Sequence, residues 1–244
     1  MTSHPPVGIV AGSGVIDHFD LGRPRTVRTP YGRAAVYGHE GGDYIVIPRH
    51  GAGHGTPPHA INYRANIAAF AQLGVKEVIA TSAVGSMNQE FRVGGVGLVE
   101  QFLDFTRRRG STFFERDVVH TDMTNPYSAR LNAALAAAGR RLGIGLRQHL
   151  VYVCVEGPRF ETAAEIKMYR ILGGDVVGMT GVPEVVLAKE KGLEYASVVI
   201  ATNWGAGMQP RVSHEEVLKV MKRSGKTVKR LIESAVGTLR GERD

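Results

Sequence analysis

Apolar runs of four to seven residues alternate along this chain with stretches whose apolar positions recur at helical period. Val7–Ala11 reads as a buried strand that enters the turn Gly12-Ser13-Gly14, Tyr44–Pro48 as a second ending at Arg49-His50-Gly51, and Val78–Ser82 as a third. Asn62–Leu73 has helical spacing and closes at Gly74, a residue suited to the left-handed turn after a helix. Ser128–Leu142 repeats that pattern and stops at Gly143. Leu150–Val155 is a strand, followed by a helix whose entry, Thr162-Ala163-Ala164-Glu165, matches a capping box. Val176–Met179 precedes a helix with Pro183 in its first turn, where a fixed φ suits the helix. Ala196–Thr202 is the last strand, and Ser213-His214-Glu215-Glu216 is a second capping-box pattern opening a long C-terminal helix.

The alternation predicts an α/β protein, and no linker or internal repeat divides it, so one domain over residues 1–244 is the simplest expectation. Arg107–Pro126 is polar, basic and aperiodic. It reads as a long loop, a class that is usually functional or interfacial.

Composition changes this picture little. The chain has 244 residues, 43% hydrophobic and 22% charged, enough for a substantial core. A single cysteine, Cys154, excludes an intrachain disulfide and a cysteine-rich metal knot and fits a reducing compartment. The stretch from Met1 to Pro6 lacks a basic and then apolar leader, and no run of about 18 apolar residues occurs, so a cytoplasmic protein without a membrane partner is expected. The formal charge of +7 raises the possibility of nucleic acid. Its carriers, Arg107-Arg108-Arg109 and Lys222-Arg223 with Lys226, Lys229 and Arg230, read instead as solvated surface. The C-terminal bases lack the interleaved aromatics of a single-strand binder, so no nucleic-acid partner is expected. A modest positive field also favours a small anionic substrate.

Several familiar patterns fail on inspection. A dinucleotide fingerprint beginning at Gly12-Ser13-Gly14 would need a third glycine where Asp17 stands; what survives is a tight turn whose amides could approach an anion. Gly225-Lys226-Thr227 mimics the end of a phosphate loop, but Val220 occupies the place of its first glycine and the segment lies in a helical pattern. His50, His54 and His59 are spaced like metal ligands, yet they share a loop rich in glycine and proline and no carboxylate joins them, so no metal is expected. There is no nucleophile elbow, and Cys154 lies mid-strand as a buried structural cysteine would.

Four segments stand out together: Gly12-Ser13-Gly14, Arg49-His50-Gly51, Thr81-Ser82-Ala83-Val84-Gly85, and Met179-Thr180-Gly181-Val182-Pro183-Glu184. Each is read as placing hydroxyls, a guanidinium or backbone N–H groups just past a strand, where open α/β sheets collect ligands. Singly, each hydroxyl reads as a cap or turn residue before it reads as a ligand. Jointly they offer what a phosphate dianion needs: Arg, Ser/Thr hydroxyls and helix N-termini.

With Asn62-Tyr63-Arg64-Ala65-Asn66, Thr81 through Ser86, Glu156-Gly157-Pro158-Arg159-Phe160-Glu161-Thr162, Gly178 through Glu184, and Ala201-Thr202-Asn203 added, the chain resembles the trimeric purine nucleoside phosphorylase and methylthioadenosine phosphorylase family over nearly its whole length. That resemblance implies a three-layer αβα fold with a central mixed β-sheet flanked by helices. It implies a pentosyltransferase that cleaves a purine nucleoside with inorganic phosphate as co-substrate and no cofactor. A phosphate site would comprise Ser13, Arg49, His50 and Thr180 with backbone from Ser82 and Ala83. Met179 would lie against the ribose, Phe160 beside the purine, and Asn203, His50 and Glu161 would carry the chemistry.

Two positions bear on the base. Where this sequence has Asn203, the adenine-specific branch of the family usually has aspartate, and an amide can donate to a purine O6 and accept from a protonated N7. A carboxylate at Glu161 can accept from the N1–H of a 6-oxopurine; read without the resemblance, it is equally a helix-start carboxylate favoured by the macrodipole. Gly205 stands where the adenine branch has a second aspartate. The expectation is a 6-oxopurine preference, with a methylthioadenosine phosphorylase as the alternative. At the 5′ end, His214 resembles a residue that binds a 5′-hydroxyl, whereas His120 resembles a methylthio-branch residue that reaches into a neighbouring subunit's pocket. The resemblance further implies a homotrimer or a dimer of trimers.

Overall fold

The computed structural model describes residues 4–19, 21–39, 42–51, 53 and 55–241. Nine strands form one mixed sheet: β1 (Val7–Ala11), β2 (Arg25–Thr29), β3 (Gly32–Gly38), β4 (Tyr44–Pro48), β5 (Glu77–Ser86), β6 (Val96–Phe105), β7 (Leu146–Val155), β8 (Val176–Gly178) and β9 (Glu194–Trp204). Five α-helices accompany them: α1 (Tyr63–Gln72), α2 (Ala129–Arg141), α3 (Ala163–Ile171), α4 (Gly181–Glu190) and α5 (His214–Arg240). The predicted α/β single domain with a mixed sheet between helices is what forms.

The helices start where local chemistry dictates. Asn62, Ser128 and Thr162 each accept a backbone N–H in the first turn of α1, α2 and α3, and Thr162 completes a reciprocal capping box with Glu165. At α5 only half of the predicted box is made. Ser213 accepts from Glu216 N, while the Glu216 carboxylate accepts from Gln209 Nε2 at 2.8 Å.

Two apolar layers sandwich the sheet. Ile67 and Phe70 of α1 join Val185 and Leu187 of α4 on one side. Leu131 and Leu135 of α2 join Val228, Leu231 and Ile232 of α5 on the other. The α5 residues recur every three or four positions, so its 27 residues bury one face and leave Lys219, Lys222, Arg223, Lys226 and Arg230 outward. Gly225 faces His18 and the Gly14 carbonyl within that buried face, consistent with a helical rather than a phosphate-loop role. Among the described residues no helix is long and apolar enough to cross a membrane.

The strand order is β2-β3-β4-β1-β5-β8-β7-β6-β9, and β9 also pairs with β5, so the last five strands in that order close on themselves. The edge of β5 is shared. Val78, Ile79 and Ala80 pair with β1, Gly85 and Ser86 pair with β8, and between them Thr81–Val84 pair only with β9 on the opposite edge. The sheet is therefore split beside Thr81–Val84. This corrects one expectation: Ser82 and Ala83 lie inside a ten-residue strand, at a gap in the sheet, rather than just past a strand end.

Candidate active site

The split in the sheet opens a cavity of about 390 Å³, within the range of small-molecule sites. Its wall gathers residues from widely separated stretches of chain. Ser13 arrives from the turn after β1, Arg49 and His50 from the end of β4, Ser82 and Ala83 from β5, and Met179 and Thr180 from the turn between β8 and α4. Phe160 and Glu161 follow β7, Asn203 is near the end of β9, and His214 opens α5. One of the residues predicted to line it, Gly205, is elsewhere. Gly205 turns its amide to Ser86 O at 2.8 Å and its Cα toward Ile166, so it braces the loop from behind rather than facing the cavity. His120 is exposed on the long loop before α2 and does not line the cavity of its own chain.

One end of the cavity is rigidly built. Arg49 is 2% exposed and Glu184 fully buried, and the two form a fork: Nε donates to Oε2 at 2.8 Å and Nη2 to Oε1 at 2.7 Å. Arg49 Nη1 donates to Thr81 O at 2.6 Å, and Tyr195 Oη donates to Glu184 Oε1 at 2.7 Å. Burial opposes charge on the guanidinium, but the facing carboxylate outweighs it and holds Arg49 above its ordinary value. Of its five N–H groups three are engaged and two are left, and the residue lines the cavity wall. The sequence named no partner for this guanidinium; the structure supplies Glu184.

Glycine at position 12 makes this approach possible, since a Cβ there would lie 2.7 Å from Thr81 O and 3.2 Å from Arg49 Nη1. Gly12 N donates to Thr81 Oγ1 at 2.9 Å, so that amide is not left for an anion. Ser82 Oγ and Thr180 Oγ1 lie 3.3 Å apart across the gap and present two hydroxyls side by side. Backbone polar groups alternate sides along a strand. Since Thr81 O faces Arg49, Ala83 also turns its N–H into the gap, whereas Ser82 turns its own toward β9 and contributes its hydroxyl.

The helix-terminus expectation is corrected too. The first amides of α4, Thr180 N and Gly181 N, point to Tyr152 Oη at 3.2 and 3.4 Å, so the helix end is capped by a phenol and not held open for an anion. The Val182 amide points to Cys154 Sγ at 3.3 Å. Burial pushes the Cys154 thiol up to about 12, which fits the structural role read from its mid-strand position.

At the other end the walls are softer. Asn203 Oδ1 accepts from Thr202 Oγ1 at 2.9 Å and its Nδ2 donates to Trp204 O at 2.8 Å, which fixes which end of the amide donates and which accepts. Gln209 ties this strand end to α5, accepting from Trp204 N at 2.8 Å while donating to Glu216. Glu161 is half-buried, and burial, reinforced by nearby Glu165, raises its carboxyl above the usual range. Met179 lies against Gly157, whose φ of +67° and lack of a Cβ let the thioether close in. His50 Nδ1 is 2.9 Å from Thr56 O, so that nitrogen carries the proton. His59 is exposed and away from the cavity wall, and His54 lies outside the described residues. Among the described residues no group of three His, Cys, Asp or Glu side chains is placed to hold a metal ion.

Residues missed from sequence explain the rest. Arg109 was read as solvated surface, yet its side chain is 1% exposed. It donates to Val182 O at 2.6 Å, Glu156 O at 2.8 Å and Tyr63 Oη at 3.1 Å, binding the long loop to both turns that frame the cavity. Arg107 and Arg108 are exposed, as expected. Glu184 had a signal that went unused: a lone carboxylate entering the apolar run Val185-Val186-Leu187 must find a cation if it is buried.

Comparison with known proteins places these residues in context. Residues 6–237 match the family model described as the phosphorylase superfamily. A 6-oxopurine nucleoside phosphorylase of Pyrococcus furiosus is 47% identical over 251 residues, covering 98% of this chain and 95% of that protein. A probable S-methyl-5′-thioinosine phosphorylase of Methanopyrus kandleri is 50% identical over 211 residues, covering 84% of this chain and 81% of that protein. The solved methylthioadenosine phosphorylase of Schistosoma mansoni in complex with adenine superimposes with a TM-score of 0.90 at 34% identity, over 99% of this chain and 93% of that one. With a single family model spanning nearly its whole length and relatives at about half identity aligned end to end, this chain belongs to the phosphorylase superfamily.

Proposed function

We propose that this protein is a purine nucleoside phosphorylase that cleaves 6-oxopurine nucleosides with inorganic phosphate, releasing the free base and a ribose 1-phosphate. The observation that carries the reading is the convergence of Ser13, Arg49, His50, Ser82, Ala83 and Thr180 on a single cavity that Phe160, Glu161, Met179, Asn203 and His214 also line.

In this reading phosphate lies against the two remaining Arg49 N–H groups, the paired hydroxyls of Ser82 and Thr180, Ser13, His50 and the Ala83 amide. One phosphate oxygen attacks C1′ as the bond from C1′ to the purine nitrogen breaks. The electron pair of that bond leaves with the base, which takes up at N7 the proton given up by the hydrogen phosphate, and positive charge builds on the ribose in the transition state. No protein nucleophile is required. Catalysis is positioning of the anion and stabilisation of charge on the departing purine. The Asn203 amide, held in one orientation by Thr202 and Trp204, donates to O6 and accepts from N7–H, while Glu161 accepts from N1–H. Met179 lies along the ribose and Phe160 along the base.

The preference for 6-oxopurines is supported by Asn203 and Glu161 and by the name of the Pyrococcus furiosus relative. The names of other relatives keep 5′-methylthioinosine, and with it 5′-methylthioadenosine as the alternative, among the substrates to be compared. Inorganic phosphate is the co-substrate, with no further cofactor in the reaction. A trimer or dimer of trimers would give exposed His120, beside Val118 at 88% and Val119 at 48% exposure, a neighbour to meet. Activity that stays constant on dilution to the monomer would contradict that arrangement. The cytoplasm is the expected location, and neither nucleic acid nor membrane is an expected partner. The test is a phosphate-dependent assay on inosine, guanosine, adenosine, methylthioinosine and methylthioadenosine in parallel. Inosine and guanosine, or methylthioinosine, should exceed both adenine nucleosides in kcat/KM; absence of phosphate-dependent cleavage of all five would overturn the reading.

A further inference from the structure

We propose that Glu184 is a positioning residue for the anion: by gripping Arg49 along one edge, it aims the two remaining guanidinium N–H groups at the phosphate end of the cavity. The inference rests on the phosphorylase reading for the identity of the anion, and on the following geometry for the role of Glu184.

Glu184 enters the site from the first turn of α4, just after Thr180, while Arg49 comes from the end of β4, 135 residues away in sequence. Both are sealed from solvent. A guanidinium is planar, so engaging Nε and Nη2 with one carboxylate and Nη1 with Thr81 O fixes its plane and rotation. The remaining hydrogens, one on each Nη, then have a single direction available. Tyr195 fixes the carboxylate in turn through Oε1. This is a relay of orientation from the buried layer under α4 to the cavity wall.

The same pairing sets the charge. Because Glu184 cancels Arg49 locally, the anion meets hydrogen-bond donors rather than an unbalanced cation, and its affinity depends on donor direction. A glutamine at position 184 keeps the shape but offers one acceptor and one donor to a fork that needs two acceptors. Its oxygen would satisfy Tyr195 and Arg49 Nη2. Its amide would then face the Arg49 Nε–H across a contact that is 2.8 Å in the native pair, and the guanidinium must pivot.

The experiment compares wild type, Glu184→Gln and Tyr195→Phe in inosine phosphorolysis, varying phosphate at saturating inosine and inosine at saturating phosphate, with sulfate as a competing anion. Glu184→Gln should raise the phosphate KM by about tenfold or more, equivalent to about 1.4 kcal/mol. The sulfate inhibition constant should rise in parallel while the inosine KM stays within about twofold. Tyr195→Phe, which keeps the ion pair and removes one hydrogen bond, should shift the phosphate KM in the same direction by less. A purely structural role would lower the amount of active protein and leave the phosphate KM unmoved, and that result in a folded Glu184→Gln sinks the proposal. If that variant does not fold, Tyr195→Phe decides by the same criterion. Calorimetric titration with inorganic phosphate keeps the two readings apart. Wild-type phosphate binding that weakens in the variants, without nucleoside cleavage, would sustain the aiming role and overturn the phosphorylase assignment. Cleavage with an unchanged phosphate KM would do the reverse.

Discussion

The two ends of the cavity are built on different plans. At the phosphate end, Arg49, Glu184, Thr81, Ser82 and Thr180 are all under a tenth exposed, and each of them is hydrogen-bonded to another residue of the group or to its neighbours. At the nucleoside end Asn203 is buried, but Phe160, Glu161 and Met179 are half-buried and His214 is exposed. A small anion demands the same donor geometry in every productive encounter, so its site can be finished before it arrives. A nucleoside must enter and leave, and its walls are side chains resting on loops that are pinned at a distance by Arg109 and Gln209. Stability and binding should therefore be coupled at the first end and separable at the second.

Arg49→Ala is the strongest way to break that contrast. It leaves the Glu184 carboxylate buried without its cation, so stability should drop by about 3–5 kcal/mol. Phosphorolysis should fall on the order of a thousandfold. Thermal unfolding and steady-state kinetics measure both, and loss of activity without loss of stability would show that the buried pair is not structural.

Asn203→Asp should cut inosine kcat/KM by on the order of a hundredfold while moving the preference toward adenosine. An unaltered inosine-to-adenosine ratio would remove Asn203 from base recognition.

Glu161 gives a smaller, pH-dependent effect. Its carboxyl is raised by burial, and only the ionised form accepts from N1–H. Inosine kcat/KM should therefore hold at high pH and decline, as pH falls, at a value above the ordinary carboxylate range. In Glu161→Gln that acidic limb should vanish and kcat/KM fall by roughly tenfold. A limb retained in the variant would assign it to another group.

The least effect is expected at Thr162, whose hydroxyl caps α3 immediately after Glu161. Thr162→Ala should cost about 1 kcal/mol of stability. It should raise the inosine KM more than the phosphate KM, because only the nucleoside end leans on that turn.

Much of this was visible in the sequence because it is local. Fully buried strands such as Val7–Ala11 and Tyr44–Pro48 are uninterrupted apolar runs, and the caps at Asn62, Ser128 and Thr162 act over three residues. Strands β2 and β3 escaped notice because they form a largely exposed hairpin whose first strand, Arg25-Thr26-Val27-Arg28-Thr29, carries one apolar residue. β6 is apolar enough, but its register slips against β7 and its second half is half-exposed, which blurs any period. Gly205 was misplaced because sequence adjacency to Asn203 does not specify which way a turn faces. Arg109 was misplaced because its partners are carbonyls of two turns far away in sequence, and a run of three arginines looks solvated until one finds acceptors.

By itself the sequence determined the buried strands, the helices with the caps at Asn62, Ser128 and Thr162, and the identity of residues that can hold an anion beside a base, since these follow from side-chain chemistry and short-range spacing. The tertiary structure alone decided that β5 would be left unpaired on one edge at Thr81–Val84, that Tyr152 would close the end of α4, and that Glu184 would take hold of Arg49. The reason is physical: burying a charge is tolerable only against its opposite, and which opposite is near is a property of the folded chain.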